Sequence, residues 1–560
     1  MKKACLNICI GGSAGQGLAT IGQIMSRAVV RKGFYLHCSQ VYESRVRGGY
    51  NGFAMRVGNT PIEAPVEAID ILVALNADSF AVNETNLVPD AVVLSDSGVT
   101  PDAPRHLHVP FKEMGEGARA NTIMVGALGA LLGFELKELD AVLTESLGKL
   151  KPPVLEANRA VLRKAYDWTI AKNNSDMQLP EPAMSANTNL MLNGSEAIAL
   201  GALASGLKFC SFYPMSPATD ISMNIGDAAK RMGVVVEQAE DEIAAINMAI
   251  AASYAGARSM VATSGGGFDL MCEGVSLAGM LEIPVVIDIA MRPGPATGLP
   301  TRTEQADLNL ALYAGHGEFP KAVFAPGNVR QCFELIKRAF VMAEKYHGPV
   351  FMLTDQYLAD SYRNVAPFDL GSVPLPPVAL DQPDDKAFET YAIMPDGVSP
   401  RRLPGFGKTL VMADSDEHTP DGHITEDLSV RVKMQDKRMA KLEGLRRDAL
   451  PPVFSGDDKP DILLVCWGST AGAVAEAAQV LRAKGRKTGV CHFMQVYPLR
   501  PETFMPQFEA AGQVVMVESN YTGQMALLIR RETGFAVHQN VLRYDGLAMT
   551  ANYILNAMQV

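Results

Sequence analysis

Short apolar runs, each closed by a glycine or a polar cluster, recur along the whole chain. Ala4–Ile10, Ile71–Leu75 and Ala91–Leu94 read as strands separated by stretches of helical spacing. Val234–Val236, Ser259–Thr263, Val285–Ile289, Ala322–Phe324 and Val350–Leu353 form a second series that alternates with alanine-rich helices. A third follows at Ile462–Cys466, Thr488–Phe493 and Gln513–Glu518. Strand–helix alternation of this kind predicts a multi-domain α/β protein whose parallel sheets are flanked by helices. The predicted blocks are 1–175, a polar, proline-bearing linker at 176–189, 190–370, an arm at 371–458 rich in Pro, Asp, Gly and Arg, and 459–560. The arm's one clear helix spans about Val430 to Arg447.

Composition narrows the class. The 560 residues are 48% hydrophobic and 20% charged, with a net charge of -11. An acidic balance argues against nucleic acid or an anionic membrane as the main partner. No apolar run approaches the ~18 residues of a membrane-spanning helix. The start, Met1 to Gly12, reads as a strand entering a glycine turn and not as a signal peptide. Eight cysteines at 5, 9, 38, 210, 272, 332, 466 and 491 form no Cys-x-x-Cys, so no iron–sulfur cluster is expected on this chain. Scattered thiols fit a reducing, cytoplasmic compartment.

The chemistry concentrates in four polar segments that close apolar runs of the second block: Tyr213-Pro-Met-Ser-Pro-Ala-Thr219, Glu240-Asp-Glu242, Thr263-Ser-Gly-Gly-Gly267 and Arg292-Pro-Gly-Pro-Ala-Thr-Gly-Leu-Pro-Thr301. In open α/β sheets, ligands bind outside the carboxyl ends of strands, near helix N-termini. Glu242 stands there, opening the predicted helix Ile243–Gly256, with Ala244, Ala245 and Ile246 as apolar surroundings. It also reads as an ordinary acidic residue in a first helical turn, stabilised by the dipole. Prolines 214 and 217 hold Ser216 rigidly, although Ser216 or Thr219 equally suits a helix cap. Arg292 ends a strand and can grip a carboxylate bidentately. The glycines after Ser264 let backbone N–H groups approach a ligand.

In this order the four segments resemble the alpha subunits of the 2-oxoacid:ferredoxin oxidoreductases. The family usually has Tyr-Pro-Ile-Thr-Pro-Ser-Ser, Thr-Ser-Gly-Pro-Gly and Gly-Pro-Ser-Thr-Gly-Leu-Pro-Thr-Lys-Thr-Glu. This chain's departures from these patterns include Met215, Ser216, Gly266, Ala296 and Arg302. Gly11-Gly-Ser-Ala-Gly-Gln-Gly17 and Ser44-Arg-Val-Arg-Gly-Gly49 resemble the same family's gamma subunit, which implies a gamma–alpha fusion. The implied fold joins a gamma-type α/β domain, a pyrimidine-type thiamine-diphosphate domain and a transketolase C-terminal-like domain.

The resemblance also implies roles. Glu242 would activate thiamine diphosphate by sharing a proton with its aminopyrimidine, with Glu240 as the competing assignment. Tyr213, Pro214, Ser264 and Gly265 would contact the cofactor. Ser216, Arg292, Thr301 and Arg302 would hold the substrate, Arg302 meeting the second carboxylate of a 2-oxoglutarate. Arg47 would help cradle coenzyme A, unless its role is structural. Gly226-Asp-Ala followed by Asn247 mimics a diphosphate–metal motif but lacks its last glycine and its paired asparagine. Mg2+ and a [4Fe-4S] cluster are therefore expected on a beta subunit, in a heterotetramer of two fused and two beta chains that passes electrons to ferredoxin. Asp414-Ser-Asp-Glu-His418 and His423 read as a polar loop. Two other functions share these residues: a non-oxidative thiamine-dependent lyase subunit, and a non-catalytic scaffold or regulatory subunit.

Overall fold

Two strands joined by a short connection can only pair antiparallel, and this shapes the first sheet. The computed structural model describes residues 3–43, 48–99, 105–115, 120–172, 177–183, 189–370, 388–406 and 410–559. They form two compact units, 1–192 with 360–367, and 193–359 with 368–560. The first unit holds an eight-stranded sheet in the order His106–Val109, Leu87–Asp96, Ile69–Ala74, Cys5–Ala14, Gly48–Gly58, Tyr35–Val41, Tyr362–Val365, Leu190–Leu192. Its first four strands are parallel, as expected. From Gly48–Gly58 onward the pairing is antiparallel, which corrects the expectation of parallel sheets for this half.

The strand Cys5–Ala14 runs through Gly11 and Gly12 instead of turning at them. A Cβ on Gly11 would lie 2.9 Å from Ser79 Cβ, so the strand passes too close to the helix Ala77–Asn83 for a side chain there. Ile8, Ile10, Ile21, Met25, Phe53 and Leu128 share the core, and Met177 and Leu179 of the expected linker pack into it.

The second unit has two sheets. The seven-stranded one runs Gln495–Tyr497, Ala322–Phe324, Pro349–Asp355, Val285–Met291, Ser259–Thr263, Phe209–Phe212, Val235–Gln238. All its neighbours are parallel except the first pair. Val285–Met291 is buried at every position, as its apolar run requires. The one ionisable residue in it, Asp288, is buried with the rest, and burial pushes its carboxyl up to about 8. The five-stranded sheet runs Val453–Gly456, Thr488–Phe493, Ile462–Trp467, Gln513–Glu518, Gln539–Leu542. One core joins the two sheets, with Ile287 and Phe351 from one and Val465 and Met516 from the other.

The arm's helix is Leu428–Arg447, and its buried positions Met434, Lys437, Arg438, Lys441 and Leu445 follow the i, i+3, i+4 spacing of one helical face. Glu282 receives both Lys437 and Lys441, which anchors this helix. No helix among the described residues is long and apolar enough to cross a membrane.

Candidate functional site

Val285–Met291, Ser259–Thr263, Phe209–Phe212 and Val235–Gln238 are consecutive parallel strands, so all four polar loops emerge at one sheet edge. This is the edge at which open α/β sheets bind ligands.

Glu242 is the first residue of the helix Glu242–Tyr254. Asp241 caps that helix, accepting a hydrogen bond of 2.7 Å from the Ala244 amide. The cap leaves Glu242 free to turn inward: it is 3% exposed, and its Oε1 is buried with no hydrogen-bond partner. Ala245 and Ile246 are buried beside it. Glu240 is exposed. A buried carboxyl oxygen without a partner carries a desolvation cost of ~1–3 kcal/mol, so a site that retains one is shaped for a ligand.

Thr263 ends its strand, Ser264 is the N-cap, and Gly265–Gly267 form the first turn of the helix Gly265–Leu270, which lies against this carboxyl group. A Cβ on Gly267 would meet Thr263 Oγ1 and fall 2.6 Å from Glu242 Oε1 and 2.8 Å from its Cγ, so only glycine lets the backbone approach. Ser264 is fully buried, and its Oγ also lacks a partner. On the same turn, a Cβ on Gly265 would collide with Asp307 Oδ2, a third buried oxygen without a partner.

Asp307 carries the most perturbed acidity of this group. Burial pushes its carboxyl up to about 7, Glu304 adds to the rise, and Arg292 opposes it. It is the N-cap residue of the helix Leu308–Tyr313, yet its side chain accepts no capping hydrogen bond. Sequence reasoning missed Asp307. Its signal was an acidic residue directly before an apolar run, which ordinarily means a cap and nothing more.

Arg292 Nη1 donates to the Ser216 carbonyl at 2.8 Å, while Nε is buried without a partner. The structure thus joins Ser216 and Arg292 as the sequence suggested, although through the Ser216 backbone; the hydroxyl-bearing side chain is exposed. Tyr213 and Pro214 are exposed on the same loop. Ser216–Pro217 and Gly294–Pro295 are cis.

Thr301 and Arg302 lie farther along the loop that follows Arg292. Thr301 is buried. Arg302 faces the loop at Gly546, where an added Cβ would come within 3.1 Å of its own Cβ. The next residues are fastened to the five-stranded sheet. The Gln305 amide donates to the Ser519 carbonyl at 2.6 Å, and Gln305 Nε2 donates to the Trp467 carbonyl at 2.8 Å. Arg47 is outside the described residues. Asn247 is exposed and donates to the Ile243 carbonyl. Glu417 pairs with Arg431 and Arg438, buried His418 stacks on Tyr391, and among the described residues no group of side chains is arranged to hold a metal ion.

Glu242 Oε1, Ser264 Oγ, Asp307 Oδ2 and Arg292 Nε are thus unsatisfied groups spread over adjoining loops, fit for a polar ring and an anionic substrate group.

Comparison with known proteins identifies the family. Residues 200–437 match the family described as pyruvate flavodoxin/ferredoxin oxidoreductase, thiamine diphosphate-binding. Residues 7–168 match pyruvate ferredoxin/flavodoxin oxidoreductase. The chain is 30% identical over 608 residues to the 2-oxoacid:ferredoxin oxidoreductase subunit alpha of a Sulfolobus species, covering 97% of this chain and 94% of that one. It is 31% identical over 461 residues to the 2-oxoglutarate oxidoreductase subunit KorA of Mycobacterium tuberculosis, covering 78% and 68%. The solved 2-oxoglutarate:ferredoxin oxidoreductase of Magnetococcus marinus, with 2-oxoglutarate, coenzyme A and succinyl-CoA bound, superposes with a TM-score of 0.93 at 28% identity, covering 100% and 99%.

Proposed function

The chain belongs to the 2-oxoacid:ferredoxin oxidoreductase family as a subunit of a multi-subunit enzyme, and we propose that it forms the ring-activating, acid-gripping wall of a thiamine diphosphate site completed by a beta subunit. The observation that carries this reading is the buried, unpartnered Glu242 Oε1 held against Gly267.

Thiamine diphosphate, when bound, supplies a nucleophilic carbon and an electron sink for decarboxylation. Glu242 Oε1 would hold the pyrimidine ring by sharing a proton with its ring nitrogen, and Ser264 and Gly265 would lie beside it. Arg292 holds the substrate carboxylate with the fork that Ser216 orients. The enzyme converts a 2-oxoacid, coenzyme A and two oxidised ferredoxins to an acyl-coenzyme A, CO2, two reduced ferredoxins and a proton. The beta chain contributes Mg2+ and the [4Fe-4S] cluster, in a cytoplasmic assembly of two chains of each kind.

2-Oxoglutarate is the favoured substrate. The Mycobacterium tuberculosis relative is named for it and the Magnetococcus marinus enzyme holds it. Arg302 offers a second cation for its distal carboxylate.

Reconstitution with the partner chain tests both levels. Glu242→Ala lowers turnover by two orders of magnitude or more while the circular dichroism spectrum is retained. Arg302→Ala lowers kcat/KM for 2-oxoglutarate at least tenfold and leaves pyruvate unaffected. Retained turnover in the Glu242 variant would reduce the chain to a scaffold. An equal loss for both oxoacids in the Arg302 variant would remove the argument for 2-oxoglutarate.

A further inference from the structure

A cavity of about 30 Å3 lies where residues 390–402 and 411–412 of the arm pack against the strand–helix block. Arg402 and Thr390 reach it from the arm, and Arg402 Nη1 and Thr390 Oγ1 are both buried without a hydrogen-bond partner. The Tyr391 hydroxyl lies by the Asp414 amide and makes no hydrogen bond of acceptable geometry. Arg402 is 7% exposed, its guanidinium lies 4.5 Å from the Phe388 ring centroid, and it makes no ion pair among the described residues.

Charge makes this more than a pocket for water. Glu282 already holds Lys437 and Lys441, and Glu344 already holds Arg258 and Arg401. Arg402 adds a fifth cation to these two carboxylates, while Asp396 acts on Lys441 and Asp414 on Tyr391 without pairing with Arg402. His347, which also lines the cavity, is kept neutral: burial first, then the charges of Lys441 and Arg401, bring its pKa down to about 3. Water could satisfy the orphaned hydrogen-bonding groups but would leave the buried guanidinium without a counter-charge among the described residues. The volume suits one or two waters or one monatomic ion, and is too small for sulfate or phosphate.

We infer that this cavity binds one chloride-sized anion through Arg402, Thr390 and Tyr391, fastening the arm to the block that carries Glu242. The test uses the full chain in gluconate buffer, titrated with chloride at constant ionic strength while Tm is followed. The wild type shows a saturable rise in Tm, bromide substitutes for chloride, and sulfate does not. Arg402→Gln abolishes the response. Thr390→Val, nearly isosteric, keeps the fold and raises the half-saturating chloride concentration tenfold or more, so it decides the matter alone if Arg402→Gln does not fold. A wild-type Tm indifferent to the exchange of gluconate for chloride, or an unaltered response in either folded variant, overturns the inference.

Discussion

Glu242 and Asp307 both pack against the glycine turn that opens the helix Gly265–Leu270, Glu242 against Gly267 and Asp307 against Gly265, each with one buried carboxyl oxygen that no protein group meets. The absence of side chains at these glycines is what lets both acids reach the turn.

Alanine at position 267 follows directly from this arrangement. Its Cβ would stand 2.6 Å from Glu242 Oε1, a distance that real Cβ atoms do not adopt, so the carboxyl group must move. A displacement near 1 Å at a reacting group costs about 100-fold in rate. Gly267→Ala should therefore lose about two orders of magnitude of turnover in the reconstituted complex and keep its helical content. Gly266→Ala is the built-in control. Its Cβ would meet only the Ala296 carbonyl, at 3.5 Å, and near-wild-type turnover is expected. Equal loss in both variants would mean the loop matters as a whole and not through Glu242.

Asp307 predicts a trade between stability and activity. Its carboxyl titrates near 7 in the folded chain, against about 3.9 when unfolded. Between those values the folded chain holds a proton that the unfolded chain has released, so stability falls as pH rises from ~4 to about 7, then levels off. Asp307→Asn removes that slope. The variant should be more stable than wild type at pH 8, by an amount on the order of 2–4 kcal/mol, and no more stable at pH 4. Its turnover should fall, because Arg292 and the Gly265 backbone lose their acidic neighbour. Melting curves at both pH values check this, and a Tm difference independent of pH would remove Asp307 as its source.

The sequence showed the central sheet of the second unit because Ser259–Thr263 and Val285–Met291 are buried at every position and are mostly apolar, with Asp288 as the one interruption inside the longer strand. Glu242 was legible because it opens an apolar helix at the end of a strand. The antiparallel half of the first sheet was not. Gly48–Gly58 mixes four glycines with polar residues, and Tyr362–Val365 returns to that sheet from far along the chain, a pairing with no local mark. Asp307 escaped for a similar reason: its partner is the backbone of a loop more than forty residues earlier, and only the fold brings Gly265 to it. The route of Cys5–Ala14 through Gly11 and Gly12 depends likewise on Ser79, which packs there only once the sheet has formed.

The arm's helix is held by a buried ion triad, and its removal has a definite sign. Lys437 Nζ is 2.6 Å from Glu282 Oε1, and Lys441 pairs with the other oxygen. Both lysine side chains are at most 3% exposed. Glu282→Ala leaves two cations in a dry interface, a loss on the order of 3–5 kcal/mol. Denaturant midpoints should fall accordingly. In a Glu282→Ala, Lys437→Met, Lys441→Met triple variant most of the loss should return, since no uncompensated charge remains. Failure of the triple variant to recover would place the damage in the left-handed turn at Glu282, where φ is 52°, and not in the charges.

Arg292 separates substrate holding from chemistry. Its Nη1 is occupied by the Ser216 carbonyl at 2.8 Å, which fixes the plane of the guanidinium and leaves Nε as a buried donor without a protein partner. A carboxylate received by that fork gains two parallel hydrogen bonds, which a lysine's single ammonium cannot reproduce. Arg292→Lys should raise KM for the 2-oxoacid ten- to a hundredfold without lowering kcat in proportion, because the carboxylate that Arg292 grips loses its charge as it leaves as CO2, so the ion pair favours bound substrate and not the transition state. The Ser216→Ala variant, which keeps the accepting carbonyl, should leave KM nearly unchanged if the backbone is what orients the arginine. A KM shift in Ser216→Ala as large as that in Arg292→Lys would instead assign the serine hydroxyl a direct contact with the substrate.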